Sequence, residues 1–557
     1  VTPHGARRAD AFERGAGLIL GAAVLVFILW PVAAVLLESV RGQGGLGAYA
    51  GLFSGSGRLI ANTLLVCVLT TFLAVGFGLS LALFLTRSGC RGKRFVFASL
   101  LLTMISPPFV TSLAYIMLFG RRGLLTHHLL GLSLNPYGLH GIVLMEAAGL
   151  SSLAALIIAG SLAGADRRLE HAARDLGAGG FTRLVSVTIP QAGPGILAAA
   201  VVCAIRSLSD FGTPLIIGGR FPVLASESYL TAIGLGDLPR ASAMNALLLV
   251  FSLAAFVVYR RSVSGRLGVT ARDKGGLAWP PPPLPRALDL ALAAVAWLFI
   301  AFQLAQYACI LWGAFAAAWG ADFSLTLKNF AALDESRLGS FGRSLAYSGL
   351  AALAASLMGL ILAYLIERRR LPAPGFFDLA AALPLAIPGT FFGLGYVLAF
   401  NGLPRAVLDS GALIVANCTF RQLPLSIRAG AAALAAVGED VEKSARDLGA
   451  TTPRVLRTVI LPLLKSAFLV SLVNTFTATM TTIGSIIFLV TPRTKVATVE
   501  LFEAIKAGDI GIGAVLAGLI VILTLAANLA FSGLLLGRRG LTAGGLELAH
   551  VPAPGRA

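Results

Sequence analysis

Long apolar runs separated by short polar breaks dominate the chain. The runs are apolar around their whole circumference, so they follow neither the single stripe of a surface helix nor the alternation of a half-buried strand. Each reaches about 20 residues, enough to cross a bilayer core as a helix. Twelve spans are predicted, at 17–39, 60–86, 95–119, 141–163, 192–218, 241–259, 288–312, 343–366, 376–400, 411–435, 464–490 and 512–536. The fold class expected is an all-α polytopic membrane protein.

Composition agrees. Hydrophobic residues make up 57% of the 557 and charged residues 13%, against about 25% charged in soluble domains. The formal net charge of +18 sits mainly in short loops, where it orients helices, and no basic stripe interleaved with aromatics points to nucleic acid. With the N-terminus inside, inner segments carry about twice the Lys and Arg of outer ones, which favours both termini on the cytoplasmic side. Cys67, Cys90, Cys203, Cys309 and Cys418 are scattered with no CxxC pair, the pattern of packing residues rather than a disulfide or metal framework. Residues 1–17 lead into an apolar run without a small-residue cleavage site, so the first span is read as retained.

The chain is a duplication. PPFVTSLAYIMLFG (107–120) aligns with PGTFFGLGYVLAFN (388–401), and GLSLALFLTR (78–87) with GLILAYLIER (359–368), both offset by 281. Further on the offset is 272, as in Gly236-Asp237 against Gly508-Asp509. Two six-span halves in parallel follow, 1–264 and 288–557, related by an axis along the membrane normal. Between them 265–287, with four consecutive prolines, reads as a cytoplasmic linker.

One charged cassette occurs once per half. EHAARDLGAGGFTRLVSVTIP (170–190) and EKSARDLGATTPRVLRTVILP (442–462) share ten of 21 positions without a gap. Glu442 with Arg446, and Lys443 with Asp447, stand at i,i+4 on a short amphipathic helix. Gly449 is placed to end it, and Thr452-Pro453 to cap the next one. An ordinary solvated loop drifts between copies. Two loops docking on two equivalent partner surfaces do not.

ExxAxxxG with a terminal proline resembles the EAA loop of permeases in ATP-binding cassette (ABC) importers. Glu170, Ala173, Gly177 and Pro190 match it, as do Glu442, Ala445, Gly449 and Pro462; Ser444 departs from the alanine found at Ala172. The fused arrangement, with DFGTPLIIGG (210–219), is similar to the ferric-iron and thiamine importer branch. The resemblance implies that these residues, with Arg174, Asp175, Arg446 and Asp447, form two coupling loops gripped by two ATPase subunits. An extracytoplasmic binding protein would dock outside. No GxxxxGK[ST] loop is present. The chain is therefore expected to be a permease and not an enzyme, with no cofactor or metal of its own and ATP and Mg on the partners.

Ionisable residues inside spans are functional candidates. Arg206 and Asp210 stand at i,i+4, either as an internal ion pair or as pathway residues. Their counterparts, Ala478 and Thr482, lie in TFTATMTT with Thr479. Glu146 reads as near-interfacial. Arg421 and Arg428 flank Pro424, where the helix either breaks or meets protein or water. Tyr115 and Tyr396 read as packing residues. Ferric iron is the cargo the resemblance suggests, with thiamine, a polyamine or an organophosphonate as alternatives. An ion-driven secondary transporter would explain the duplication but not the paired cassettes.

Overall fold

A backbone in hydrocarbon must satisfy its own hydrogen bonds, and almost all of the described chain does so as helix. The structure is a computed structural model and describes residues 11–41, 47–132, 135–263, 282–369 and 374–536. The linker expected at 265–287 lies largely outside them. The one sheet among the described residues is an antiparallel hairpin, Ala316–Ala318 with Asp322–Leu325.

Eight helices are single spans: Gly15–Arg41, Gly57–Arg87, Leu139–Ala163, Gly180–Ser209, Leu238–Val258, Arg286–Phe315, Glu335–Arg368 and Ile510–Phe531. Two predicted spans are bent pairs instead, and a third bend falls where the second cassette enters the span predicted at 464–490. Lys93–Ile105 meets Pro108–Leu129 at 105°, Gly375–Ala386 meets Gly389–Phe400 at 113°, and Thr452–Leu463 meets Lys465–Met480 at 73°. Eleven spans result if each pair counts once. The first two breaks fall at the aligned prolines Pro107 and Pro388, both extended at ψ 148° and 145°. A proline biases its predecessor away from helix and lacks the N–H that would continue one. The predicted span at 411–435 is a continuous helix, Ala412–Ala436, with Pro424 inside it; Arg421, Gln422 and Arg428 make it less apolar than the rest. Two spans end early, at Ser209 rather than 218 and at Met480 rather than 490.

The duplication is visible in the packing. A Cβ added to Gly78 would lie 2.5 Å from Ala154 Cβ, and one added to the aligned Gly359 would lie 2.3 Å from Ser426 Cβ. In each half the same bare glycine thus lets the same two helices close on each other. Gly236 and Gly508 both adopt positive φ, 68° and 80°.

The halves are interlocked through their first spans. Trp30 Nε1 donates to Ala399 O at 3.3 Å, Tyr396 OH donates to Phe27 O at 2.9 Å, and the Phe27 ring stacks on Phe420. Conversely, Trp319 Nε1 donates to Met117 O at 3.1 Å, and Tyr307 OH bonds Ser106 Oγ at 2.6 Å. Each half's opening helix therefore lies against the other half's broken span.

Candidate functional site: paired cassettes and the junction between the halves

Each cassette begins with a nine-residue helix, Arg167–Asp175 and Glu439–Asp447. Both end alike. Gly177 (φ 85°) and Gly449 (φ 80°) take the left-handed conformation. Ala178 N bonds Ala173 O at 2.9 Å, and Ala450 N bonds Ala445 O at 3.1 Å. Gly177 N and Gly449 N reach Arg174 O and Arg446 O, completing a Schellman cap that satisfies the last carbonyls. Nothing lies within 4 Å of a Cβ added at either glycine, so the backbone, and not space within this chain, asks for glycine. A short helix follows, Gly180–Arg183 or Thr452–Val455, and then a π-helical turn in the same place, Leu184–Thr188 and Leu456–Ile460. The second short helix is capped at Thr451, one residue before the position predicted. Pro190 and Pro462 then open the next helices, where a missing N–H is tolerated.

The glutamates do not face outward, as expected of charge on a docking surface. Glu170 is buried, and its Oε1 accepts from Arg87 Nε at 3.0 Å and Nη2 at 2.8 Å. Arg87 Nη2 also reaches Leu162 O at 3.3 Å. In the second half the aligned arginine, Arg368, reaches the aligned carbonyl, Leu434 O, at 2.8 Å. Its ion pair, however, is with Glu439 at 3.4 Å. Glu442 accepts from Tyr364 OH at 2.9 Å and lies 3.4 Å from Arg446 Nε. Lys443 turns back to Glu439 and Asp440 rather than on to Asp447. Both glutamates therefore tie their helix to its own half, by different partners.

What the cassettes present outward is apolar. Leu176 and Leu448 are 88% and 89% exposed. Seven residues earlier, on the same helical face, Leu169 and Val441 are also exposed. Ala173 and Ala445 are half-buried beneath, with Arg174, Asp175 and Asp447 exposed around the rim. The period was readable in the sequence, but which face turned to solvent was not. Among the described residues, it is the first cassette that is braced by the chain entering the second half: Arg183 Nη2 donates to Pro283 O at 2.6 Å.

The intramembrane candidates gather where the halves meet. Arg206 and Asp210 do not form the ion pair that was one of their two readings. Asp210 follows the end of its helix and caps the next one, accepting from Gly212 N at 2.9 Å, Thr213 N at 3.2 Å and Thr213 Oγ1 at 2.6 Å. Phe211 follows, 2% exposed, against Gly484 of the other half. Thr482, aligned with Asp210, gives its carbonyl to Thr498 Oγ1, while the Thr479 hydroxyl is enclosed without a partner. Glu146 is buried rather than interfacial, with Ser207 Oγ donating to its Oε2 at 2.5 Å. Tyr115 and Tyr396 are buried, each donating to a backbone carbonyl. On the side that the charge pattern predicts to be outer, a cavity of about 580 Å³ is lined by Arg121, Tyr137, His140 and Arg220. Burial pushes the Tyr137 hydroxyl above its ordinary pKa, and the Arg121 charge opposes that.

Two interlocked membrane halves, each with one cytoplasmic-type cassette of the same backbone, define a duplicated transport permease. The comparisons agree. Residues 74–265 match the family described as "Binding-protein-dependent transport system inner membrane component". The chain is 29% identical over 541 residues to the ferric transport system permease protein FbpB of Actinobacillus pleuropneumoniae, covering 94% of this chain and 78% of that one. It is 31% identical over 454 residues to the putative ferric transport system permease protein FbpB 1 of Haemophilus influenzae, covering 79% and 71%. It is 30% identical over 168 residues to the molybdenum transport system permease protein ModB of Escherichia coli, covering 30% and 73%. The chain belongs to the binding-protein-dependent transport permeases and is the permease component of an ABC importer. Members of this family work with an ATPase and a substrate-binding protein.

Proposed function

We propose that this permease imports ferric iron, with one ATPase subunit seated on each cassette and both termini cytoplasmic. The iron reading follows the names of the two relatives that span most of the chain. The coupling reading is carried by one observation: Leu176 and Leu448 stand bare at the same turn of two superposable cassettes. An apolar side chain exposed to water at that level gains about 1.5–3 kcal/mol when a partner covers it. Each glutamate fixes its helix to its own half, so a push on the leucine is transmitted to the spans behind it. ATP and Mg belong to the partners, and a binding protein delivers cargo to the outer cavity. Arg206, Asp210, Thr479 and Thr482 flank the route at the junction.

The test is reconstitution of permease, ATPase and binding protein in vesicles loaded with an iron chelator. ATP-dependent ferric uptake is expected, abolished when both leucines are replaced by aspartate. Uptake that persists in that double variant excludes the coupling surface; the absence of ferric uptake in an otherwise active wild-type system excludes the cargo.

A further inference from the structure

Every lysine and arginine in the predicted topology falls in a loop or at a span end except three: Arg206, Arg421 and Arg428. A charged side chain at that depth is costly unless it meets a partner or water. No hydrogen bond or ion pair joins any of the three to another described residue. Arg206 and Arg428 have open space beside them, and Arg421 is half-buried with its Nη1 fully enclosed and unpartnered. Arg421 lies about 14 Å along its helix from the outer end, at about 1.5 Å per residue, too far for its side chain to reach the outer surface. Arg428, seven residues further, lies on the same face and about 10 Å deeper. With the exposed Leu425 between them, they form one stripe along Ala412–Ala436.

Arg206 and Arg421 come from opposite halves, each on a helix that reaches the junction. A Cβ on Gly389 would lie 3.3 Å from Arg421 Nη2, and Gly389 abuts Gly484, which packs against Phe211. Arg206 is on the helix that leads into Phe211. Like charges in a low dielectric repel, so a resting structure gains nothing from unpaired arginines on both sides of the junction. Among the described residues, no carboxylate forms an ion pair with either arginine. Asp210 is occupied in capping, and Glu146 is enclosed behind Ser207. Above the junction the outer cavity is again cationic, with Arg121 and Arg220 and no acidic side chain in its wall. In the second half's outer loop, Lys495 pairs with Glu503 at 2.7 Å.

We infer that the cargo crosses this permease as an anion, received by Arg121 and Arg220 and passed between Arg206, Arg421 and Arg428. The inference rests on the transport reading above. If the cargo is iron, the ferric ion travels inside an oxyanion or carboxylate complex of net negative charge, and not bare. Guanidinium groups suit such ligands because their planar fork matches two oxygens at once.

The complete importer in vesicles separates the possibilities. Radiolabelled ferric ion is offered with labelled phosphate or labelled citrate as the sole complexing anion, and labelled molybdate is offered without iron. Iron is expected to accumulate together with its labelled anion in fixed ratio. Arg206→Gln with Arg421→Gln is expected to lower import at least about tenfold, the equivalent of ~1.4 kcal/mol, while Arg421→Lys retains more activity than Arg421→Gln. Membrane insertion and co-purification of the ATPase establish that the variants assemble. Co-transport is measured on the wild-type protein, so it holds even if a variant misfolds. Molybdate uptake without iron uptake removes the ferric reading and keeps the anionic one. Iron entering without either labelled anion, or import at the wild-type rate in the double glutamine variant, overturns the inference.

Discussion

The Arg87 guanidinium and the Glu170 carboxylate, 83 residues apart, meet at 2.8 Å with both side chains 2% exposed. The contact links the end of one span to the cassette that follows two spans later. Removing one partner of a buried pair leaves the other charge stranded, at a cost of about 3–5 kcal/mol. Arg87→Ala or Glu170→Ala should therefore release the first cassette helix, lower ATPase co-purification and depress binding-protein-stimulated hydrolysis. Glu442→Ala should do less, because Glu442 is held by a tyrosine hydroxyl and a part-exposed arginine. Equal losses from the two glutamates would show that the difference in partners has no consequence.

Leu176 and Leu448 touch little of this chain, so replacing them should change the permease's own stability by no more than about 0.5 kcal/mol. Leu176→Asp and Leu448→Asp should each weaken ATPase binding at least about tenfold, roughly 1.4 kcal/mol, with the melting temperature of the isolated permease unmoved. A variant that melts early yet binds its ATPase normally would assign the leucines to folding instead.

The two cap glycines make a finer test. A left-handed residue with a side chain costs about 1–2 kcal/mol, and asparagine tolerates that region best. Gly177→Asn and Gly449→Asn should keep most coupling, and Gly177→Val and Gly449→Val should lose it. The readout is stimulated hydrolysis with the purified ATPase at saturating concentration. Coupling retained in both valine variants would mean that the cap does not set the cassette's geometry.

Much of this was legible in the chain because hydrocarbon leaves helix as the easy solution and the duplication lets one half read the other. Gly177 and Gly449 were placed as caps by their position after a charged helix, and both turn left-handed. The bends at Pro107 and Pro388 were harder, since an apolar run reads the same whether it crosses straight or doubles over. The direction of Glu170 was hidden because its partner, Arg87, lies two spans away and looks like an ordinary topogenic arginine. Arg206 and Asp210 had the spacing of an ion pair, but the helix ends between them, and the freed N–H groups of Gly212 and Thr213 claim the aspartate.

Gly78 and Gly359 test whether the two halves share one packing solution. Added methyls at 2.5 and 2.3 Å from their neighbours cannot be accommodated without moving a helix, a strain of about 1–3 kcal/mol. Gly78→Ala and Gly359→Ala should both lower the melting temperature of the detergent-solubilised permease. Gly76→Ala, with nothing within 4 Å of its added carbon, serves as the control and should leave it unchanged.

The exchange of first spans sets an order on assembly. The helix carrying Phe27 and Trp30 leaves the ribosome long before Tyr396, Ala399 and Phe420, the residues it finally rests on. Until the second half inserts it rests only on its own half, chiefly on Leu238–Val263, and the face that meets the second half stays uncovered. Truncation within the second half therefore strands an intact first span, and such a fragment is a substrate for membrane quality control even though every residue of its own half is present.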